Sequence, residues 1–131
     1  MSQENVEIVR ATLAAVNRGD FKAAFNHAAP GAEADLSRAV GLDRSVYSMD
    51  QFRELMEEFD ASWESVRYEF QEVIDAGEYV VTPFENRVSG RDGIELLAHG
   101  TWLWTIRGAA IVRLCLYQER QEALEAARLR E

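Results

Sequence analysis

The sequence is poor in the residues that hold metals or form crosslinks, with one cysteine and two histidines among 131 residues. The lone cysteine, Cys115, cannot form an intramolecular disulfide. This favours a reducing compartment, and we expect a cytoplasmic protein. Cys115 falls within a predicted strand, where we expect a small buried hydrophobe rather than a reactive thiol. His27 and His99 lie far apart, and no Cys/His or His-Glu-x-x-His spacing accompanies them. We therefore predict neither a metal site nor a cofactor.

Basic residues and long apolar runs are also scarce. The chain has 14 Lys and Arg against 23 Asp and Glu, which gives a formal charge of −9. Binding to nucleic acid or to an anionic membrane surface needs clustered positive charge, so neither partner is predicted. No apolar run approaches the ~20 residues that cross a bilayer, and the polar N-terminus lacks the pattern of a secretory signal. The ordinary composition and the absence of linkers or repeats predict one soluble globular domain over residues 1–131.

Three segments carry the three- and four-residue apolar spacing of amphipathic helices. The first begins at the N-cap Ser2 and stops at Gly19, and a short second helix stops before Pro30. The third begins at the capping box Ser48-Met49-Asp50-Gln51, in which hydroxyl and amide side chains satisfy each other's backbone N–H groups. Its apolar stripe predicts a helix with one buried face, formed by Phe52, Leu55, Met56 and Phe59.

From Ser65 the apolar period changes to two, which is typical of strands. Short turns separate the strands, so the pattern predicts an antiparallel meander of about four, with one strand beginning at Val66 and the others at Tyr79–Val88, Ile94–Arg107 and Ala109–Gln118. We expect a weak strand at Ala32–Leu36 and a final helix at Glu119–Leu129. Pro83 cannot donate to a ladder, so its strand should bulge there or lie at an edge. The predicted fold class is α+β, with a curved antiparallel sheet around an apolar pocket.

The longest predicted strand presents two different faces. One face is apolar enough to meet the helices and includes Trp102 and Trp104. The other is mixed, as expected of a surface that faces solvent or a second subunit. Its row Leu97, Thr101, Leu103 and Thr105 predicts a homodimer formed through the sheet. A bulge would exchange the faces beyond it, so the side that His99 takes stays open.

The chain carries enough aromatic residues to line a cavity between a bent sheet and the helices. Ligand sites combine apolar walls with a few polar groups, and a Trp N–H or Tyr O–H can supply those. The alternative is plain core packing. The predicted partner is a hydrophobic small molecule, and the candidate ligand-binding residues are Phe25, Tyr47, Phe59, Trp63, Phe84, Trp102 and Trp104.

Two stretches resemble a known family. They are the opening, Val6–Arg10 through Val16–Phe21, and the ending, Trp104–Gly108 through Ile111–Arg113 and Tyr117 to Glu122–Ala127. Both are similar to SnoaL-like proteins of the nuclear transport factor 2-like superfamily, and the order of elements matches over essentially the whole chain. The resemblance implies a cone-shaped α+β barrel, in which a curved antiparallel sheet wraps around N-terminal helices and a central pocket, usually as a dimer. Members include polyketide cyclases, ketosteroid isomerases, hydrolases, dehydratases and proteins with no known activity.

The family's catalytic residues carry over only in part. Asp35 matches, by its place in the chain, the general base of ketosteroid isomerases. The oxyanion-donating tyrosine of their first helix falls on Thr12. The later-strand aspartate of SnoaL-type cyclases has no counterpart, because residues 94–118 contain no Asp. Glu95 and His99 are the candidates for proton transfer there. These departures argue against the known reactions.

Two hypotheses follow. One is a cofactor-independent isomerase or cyclase, or a hydrolase- or dehydratase-like enzyme, acting on a hydrophobic carbonyl compound with Asp35 or His99 as base and Tyr47 or a Trp N–H as donor. The other is a non-catalytic domain that binds a ligand or a protein. For Asp35 the alternative is a strand-end carboxylate in water, and for His99 a position on the outer or dimer face. An Asp35 in solvent together with a His99 on the outer face would remove both bases.

Overall fold

The computed structural model describes residues 2–39, 41–42 and 44–130. Within these ranges the chain forms four helices and seven strands. The helices are α1 (Ser2–Asn17), α2 (Phe21–Ala24), α3 (Met49–Ser62) and α4 (Arg120–Arg130). The strands are β1 (Ala28–Asp35), β2 (Val46–Ser48), β3 (Ser65–Phe70), β4 (Ile74–Ala76), β5 (Tyr79–Ser89), β6 (Glu95–Arg107) and β7 (Ala110–Tyr117). No helix in these ranges is long and apolar enough to cross a membrane.

The strands form one curved sheet in the order β2-β1-β7-β6-β5-β3, and β4 pairs with β5 beside β3. The predicted α+β class and curved sheet are confirmed. Two features differ from the expected antiparallel barrel. The pair β1–β7 is parallel, and the sheet stays open because β2 and β3 are its edges within the described residues. Alternation along a strand does not specify which distant strand it will pair with, and this is why the sequence did not indicate either feature.

The capping box that begins α3 is confirmed: the Ser48 hydroxyl accepts from the Gln51 N–H at 3.1 Å, and the Gln51 side chain accepts from the Ser48 N–H at 2.9 Å. Pro83 neither bulges β5 nor breaks its pairing with β6. It lies opposite the gap between β3 and β4, where its missing N–H deprives no strand of a partner, and its carbonyl accepts from the Gln71 N–H at 3.2 Å. Here β5 is locally an edge strand.

The N-terminal segment departs from the predicted boundaries. The expected turn at Pro30-Gly31 lies inside β1, where the register against β7 shifts between Ala28 and Glu33. Gly31 has a φ of +81°, which a residue without a Cβ adopts readily. The register shift absorbs the turn-like conformation, so the strand begins earlier than predicted and α2 is correspondingly short.

The sheet has an inner face, covered by α1, α2 and α3, and an outer face, on which α4 packs. Two separate hydrophobic cores result. The inner core includes Phe52, Trp102 and Trp104, and the outer core joins Ala123 and Ala127 of α4 to five residues of the sheet, namely Tyr79, Val81, Leu103, Cys115 and Tyr117. The buried Cys115 confirms the expectation of a small core residue.

The outward row that suggested a homodimer is largely buried within a single chain. Thr101 and Leu103 are each 1% exposed and Thr105 is also buried, whereas Leu97 is 62% exposed. Leu103 packs in the α4 core. The burial of three of these four residues is therefore explained without a partner. The oligomeric state stays a prediction that needs a different surface.

Candidate functional site

The inner face of the sheet and the helices enclose a cavity of about 10 Å³. A cavity needs about 10–15 Å³ to hold one water molecule, so this interior is almost completely filled by side chains. Helices α1 and α3, the residue that follows α2, and three strands contribute to the lining, which consists of Leu13, Val16, Phe25, Phe52, Met56, Tyr68, Phe70, Trp102, Trp104 and Leu114.

A chain of ring contacts fills the interior beside this cavity. The Phe52 ring meets Phe25 edge-on at 5.4 Å and Trp102 at 5.6 Å, and Trp102 stacks on Phe84 at 5.7 Å between centroids. Gly100 makes that stacking possible, because a Cβ at this position would lie 2.9 Å from Cζ of Phe84. Such ring pairs contribute about 0.5–1.5 kcal/mol each beyond the burial of their area. The aromatic residues therefore pack against one another along the inner face.

The surface of the cavity is apolar, but three residues of its lining carry a polar group, namely Tyr68, Trp102 and Trp104. The Trp104 Nε1–H donates to Oγ1 of Thr82 at 2.9 Å, so this donor is occupied. The Tyr68 hydroxyl has only a weak contact, with Sδ of Met56 at 3.9 Å. Burial, with the negative charge of Asp60 adding to it, raises the pKa of Tyr68 to about 12. The hydroxyl therefore stays protonated and can donate a hydrogen bond at any physiological pH.

Tyr68 was not among the candidates named from the sequence, although the signal for it was present. The alternation Val66, Tyr68, Phe70 places all three on the face of β3 that packs against the helices. The alternation along the strand thus identifies Tyr68 as a polar residue of the inner face.

The seven candidate ligand-binding residues separate into two groups. Phe25, Trp102 and Trp104 line the cavity, and Phe84 packs behind Trp102. The other three lie elsewhere. The Tyr47 ring is buried with the Arg44 guanidinium 5.8 Å from its centroid, and Phe59 and Trp63 meet at 6.4 Å near the end of α3.

Asp35 lies on the outer face, because it is in register with Cys115 of β7. Its carboxylate accepts from the Ser37 N–H at 3.0 Å and from Nη2 of Arg113 at 3.1 Å, and it lies 4.0 Å from Nη1 of Arg38. Burial by itself raises the pKa of Asp35, but the Ser37 hydrogen bonds and the two arginines outweigh it, so the pKa falls below its usual value. A general base near neutral pH requires the opposite shift.

His99 also lies on the outer face. β6 pairs with β5 without a bulge from Glu95 to Thr105, so parity sets His99 opposite to the side of Trp102 and Trp104. The imidazole Nε2 is 3.2 Å from Oε1 of Glu119, and both side chains are about two-thirds exposed. The side of His99 that the sequence left open is thus the solvent side. Throughout the described ranges, no three His, Cys, Asp or Glu side chains are close enough together to hold a metal ion.

A SnoaL-like domain model matches residues 9–114 of the sequence, which is most of the chain. The chain belongs to the SnoaL-like domain family. The resemblance expected from the two ends of the sequence is thereby confirmed. No curated protein sequence matches the chain.

Solved structures share the architecture of this SnoaL-like domain at low sequence identity. A nuclear transport factor 2-like protein from Burkholderia thailandensis is 20% identical with a TM-score of 0.75, and the match covers 94% of this chain and 95% of that one. A Catenulispora acidiphila protein with a ketosteroid isomerase-like fold, in complex with trimethylamine, is 20% identical with a TM-score of 0.71, covering 93% and 92%. TerC, co-crystallised with polyporic acid, is 16% identical with a TM-score of 0.74, covering 95% and 98%. These similarities establish the fold.

The SnoaL-like interior of this chain offers a hydrogen-bond donor but no base. The cavity lining contains no Asp, Glu, His, Lys or Cys side chain. Enolate chemistry needs a base within hydrogen-bond reach of the abstracted proton as well as a donor to the oxyanion. The interior can therefore accept an apolar molecule only if side chains move, with the Tyr68 hydroxyl as a nearby donor, and its lining lacks a group that would abstract a proton.

Proposed function

We propose that this SnoaL-like domain binds a small apolar molecule between its sheet and its N-terminal helices, without proton transfer by Asp35 or His99. The observation that carries the proposal is the division of the sheet. The inner face combines an apolar, aromatic lining with neutral donors such as the Tyr68 hydroxyl, while both candidate bases occupy the outer face. An apolar wall with a few polar groups is the usual composition of a ligand site.

Entry of a ligand requires side chains to move, because the cavity of about 10 Å³ is much smaller than any organic molecule. Phe25, Met56 and Phe70 are the wall residues best placed to do so, since each is only partly buried. Phe25 follows directly after the four-residue helix α2, and Met56 has the flexible side chain that adapts to irregular gaps. The proposal therefore places the opening of the cavity on the side of these residues.

Binding can be measured with a neutral fluorescent probe, N-phenyl-1-naphthylamine. Trp63 lies outside the cavity, so the Trp63→Phe variant leaves Trp102 and Trp104 as the indole reporters. We expect saturable energy transfer from these indoles to the probe. In the same background, Phe25→Ala should strengthen binding about tenfold, because the ligand no longer displaces a half-buried ring worth about 1.4 kcal/mol. Phe59→Ala, an aromatic truncation away from the cavity, is the matched control. No saturable binding by either W63F or W63F/F25A would contradict the proposal.

The absence of proton transfer has its own test. The methyl-ketone protons of 2-acetylnaphthalene exchange slowly in deuterated buffer, and NMR follows this exchange. We expect the protein to leave the rate of exchange unchanged. Exchange that is faster with the protein, and slowed again in Asp35→Asn or His99→Ala, would restore the enzyme hypothesis.

We further propose a homodimer through the half of the outer face that α4 leaves uncovered. Strand register places like charges directly opposite each other there, Arg67 beside Arg87 and Glu69 beside Glu85. Like charges opposite one another on neighbouring strands are destabilising. Among the described residues none of these four side chains forms an ion pair. We call these four residues, with Leu97 beside Arg87, the charged strand face.

The charged strand face is complementary to itself. Its arginine row and its glutamate row are two residues apart along the strands, or about 7 Å. A two-fold axis in the plane of the interface, midway between the rows and parallel to them, would set Arg67 over Glu69 of a second copy and Arg87 over its Glu85. An isologous interface of this kind relieves both like-charge rows at once.

A further inference from the structure

A second and much larger space adjoins the cavity. It is a surface cleft of about 320 Å³ between α2, the irregular first half of β1 and the beginning of α3. Its apolar walls include Ala32 and Met49, which are both buried, and the ring of Phe25. Phe25 also lines the inner cavity. One half-buried ring is thus a wall common to the cleft and the aromatic interior.

The polar groups of the cleft are mostly positive or donating. Lys22 forms no ion pair or hydrogen bond with any described residue. Arg53 lies 3.6 Å from Glu57 and 4.0 Å from Asp50, and its side chain is one-third exposed. The one acidic residue of the lining is Asp50, whose side chain is 89% exposed.

Ser48 adds a donor at the beginning of α3. Its oxygen already accepts the Gln51 N–H, so its own hydroxyl proton remains available to a ligand. A carboxylate accepts such hydrogen bonds readily and gains from nearby ammonium and guanidinium groups. In a chain with a formal charge of −9, a cleft with two cations and one exposed acid is a local exception.

We infer that the ligand of this domain is an aromatic or otherwise apolar carboxylic acid, held with its carboxylate in the cleft by Lys22 and Arg53 and its apolar body directed past Phe25 toward the interior. The inference rests on the proposed binding function and adds the chemical class of the ligand. It assigns Lys22 as a specificity-determining residue, because Lys22 is the cation of the cleft that has no partner among the described residues.

The test compares 2-naphthoate with methyl 2-naphthoate, two ligands with the same rings and different charge, by calorimetric titration at low salt. We expect the carboxylate to bind about tenfold more tightly than the ester, as one charge-assisted contact provides. Lys22→Gln should abolish most of this preference and leave the ester unchanged. Arg91→Gln, which removes the same charge from an exposed turn, is the control and should change neither.

The outcomes separate this inference from the proposal beneath it. If the ester binds and the carboxylate binds no more tightly, or if K22Q and R91Q act alike, the assignment of a carboxylate ligand is overturned while apolar binding stands. If neither compound binds the wild-type protein, the proposed binding function falls and the inference with it.

Discussion

Two buried threonines differ in what their hydroxyl groups contact. Thr12 of α1 is 1% exposed and its Oγ1 has no hydrogen-bond partner, whereas Oγ1 of Thr82 accepts from the Trp104 indole. A buried polar atom without a partner costs about 1–3 kcal/mol. We expect Thr12→Val to raise the free energy of unfolding by about 1 kcal/mol and Thr82→Val to lower it by about as much. Urea denaturation measures both. A destabilised T12V would contradict the unpartnered hydroxyl.

Asp35 has a structural role that depends on pH. Its contacts with Ser37 and Arg113 join the end of β1 to the next loop and to β7. Because its pKa is lower in the folded protein than in the unfolded chain, Asp35 stabilises the fold above the unfolded value and loses this contribution as the pH falls. We expect Asp35→Asn to lose about 1–2 kcal/mol at pH 7, and the difference from wild type to shrink below about pH 4. His99→Ala, at an exposed pair, is the control. A difference that stays constant down to pH 2 would refute the ionised carboxylate.

The hairpin between β6 and β7 is closed by a two-residue turn in which both residues have positive φ, +57° at Gly108 and +61° at Ala109. This turn suits the twist of the strands, but a Cβ in the left-handed region costs about 1 kcal/mol. We expect Ala109→Gly to stabilise the protein by about 0.5 kcal/mol. This is less than the relieved strain, because glycine also adds freedom to the unfolded chain. Gly108→Ala should lower the stability by about 1 kcal/mol. Thermal unfolding of both variants measures these changes. An A109G variant less stable than the wild type would disprove the strain at Ala109.

The elements that the sequence predicted are those with strong local signals. The capping box at Ser48 and the alternation that begins at Val66 depend on neighbours a few residues away, and both are found where expected. The short strands β2 and β4 were missed, because three-residue strands form only when a partner strand is already in place. The position of α4 was also missed. Nothing local specifies that Ala123 and Ala127 will pack on the outer face.

The candidate site was predictable to the same extent. Parity placed Trp102 and Trp104 on the helical side, since β6 runs without a bulge against β5. Asp35 was predicted to be a general base from its place along the chain, and that place does not specify which side of the strand it faces. A shift of one residue reverses every side chain of a strand, and the register of β1 against β7 shifts between Ala28 and Glu33.

At the scale of the whole molecule, α4 decides which surfaces remain for partners. By covering Leu103 and its neighbours it converts one half of the outer face into core. The other half keeps polar side chains and the exposed Leu97. The inner face, closed by three helices, is left for a small molecule. The two proposals thus assign ligand binding and association between copies to opposite sides of a single sheet.

The homodimer is tested best through the self-complementarity of the charged strand face. Because each arginine row would face a glutamate row, the double variants R67E/R87E and E69R/E85R should each be monomeric when the wild type is dimeric by sedimentation. An equimolar mixture of the two should associate again, since each variant then offers the row that the other needs.

Association of the wild type should also weaken with added salt, because exposed charges are screened over about 10 Å at 0.1 M. Arg18→Glu, in the exposed turn after α1, controls for net charge and should remain a dimer. A wild type that is monomeric at micromolar concentration, or variants that stay dimeric, would refute this interface.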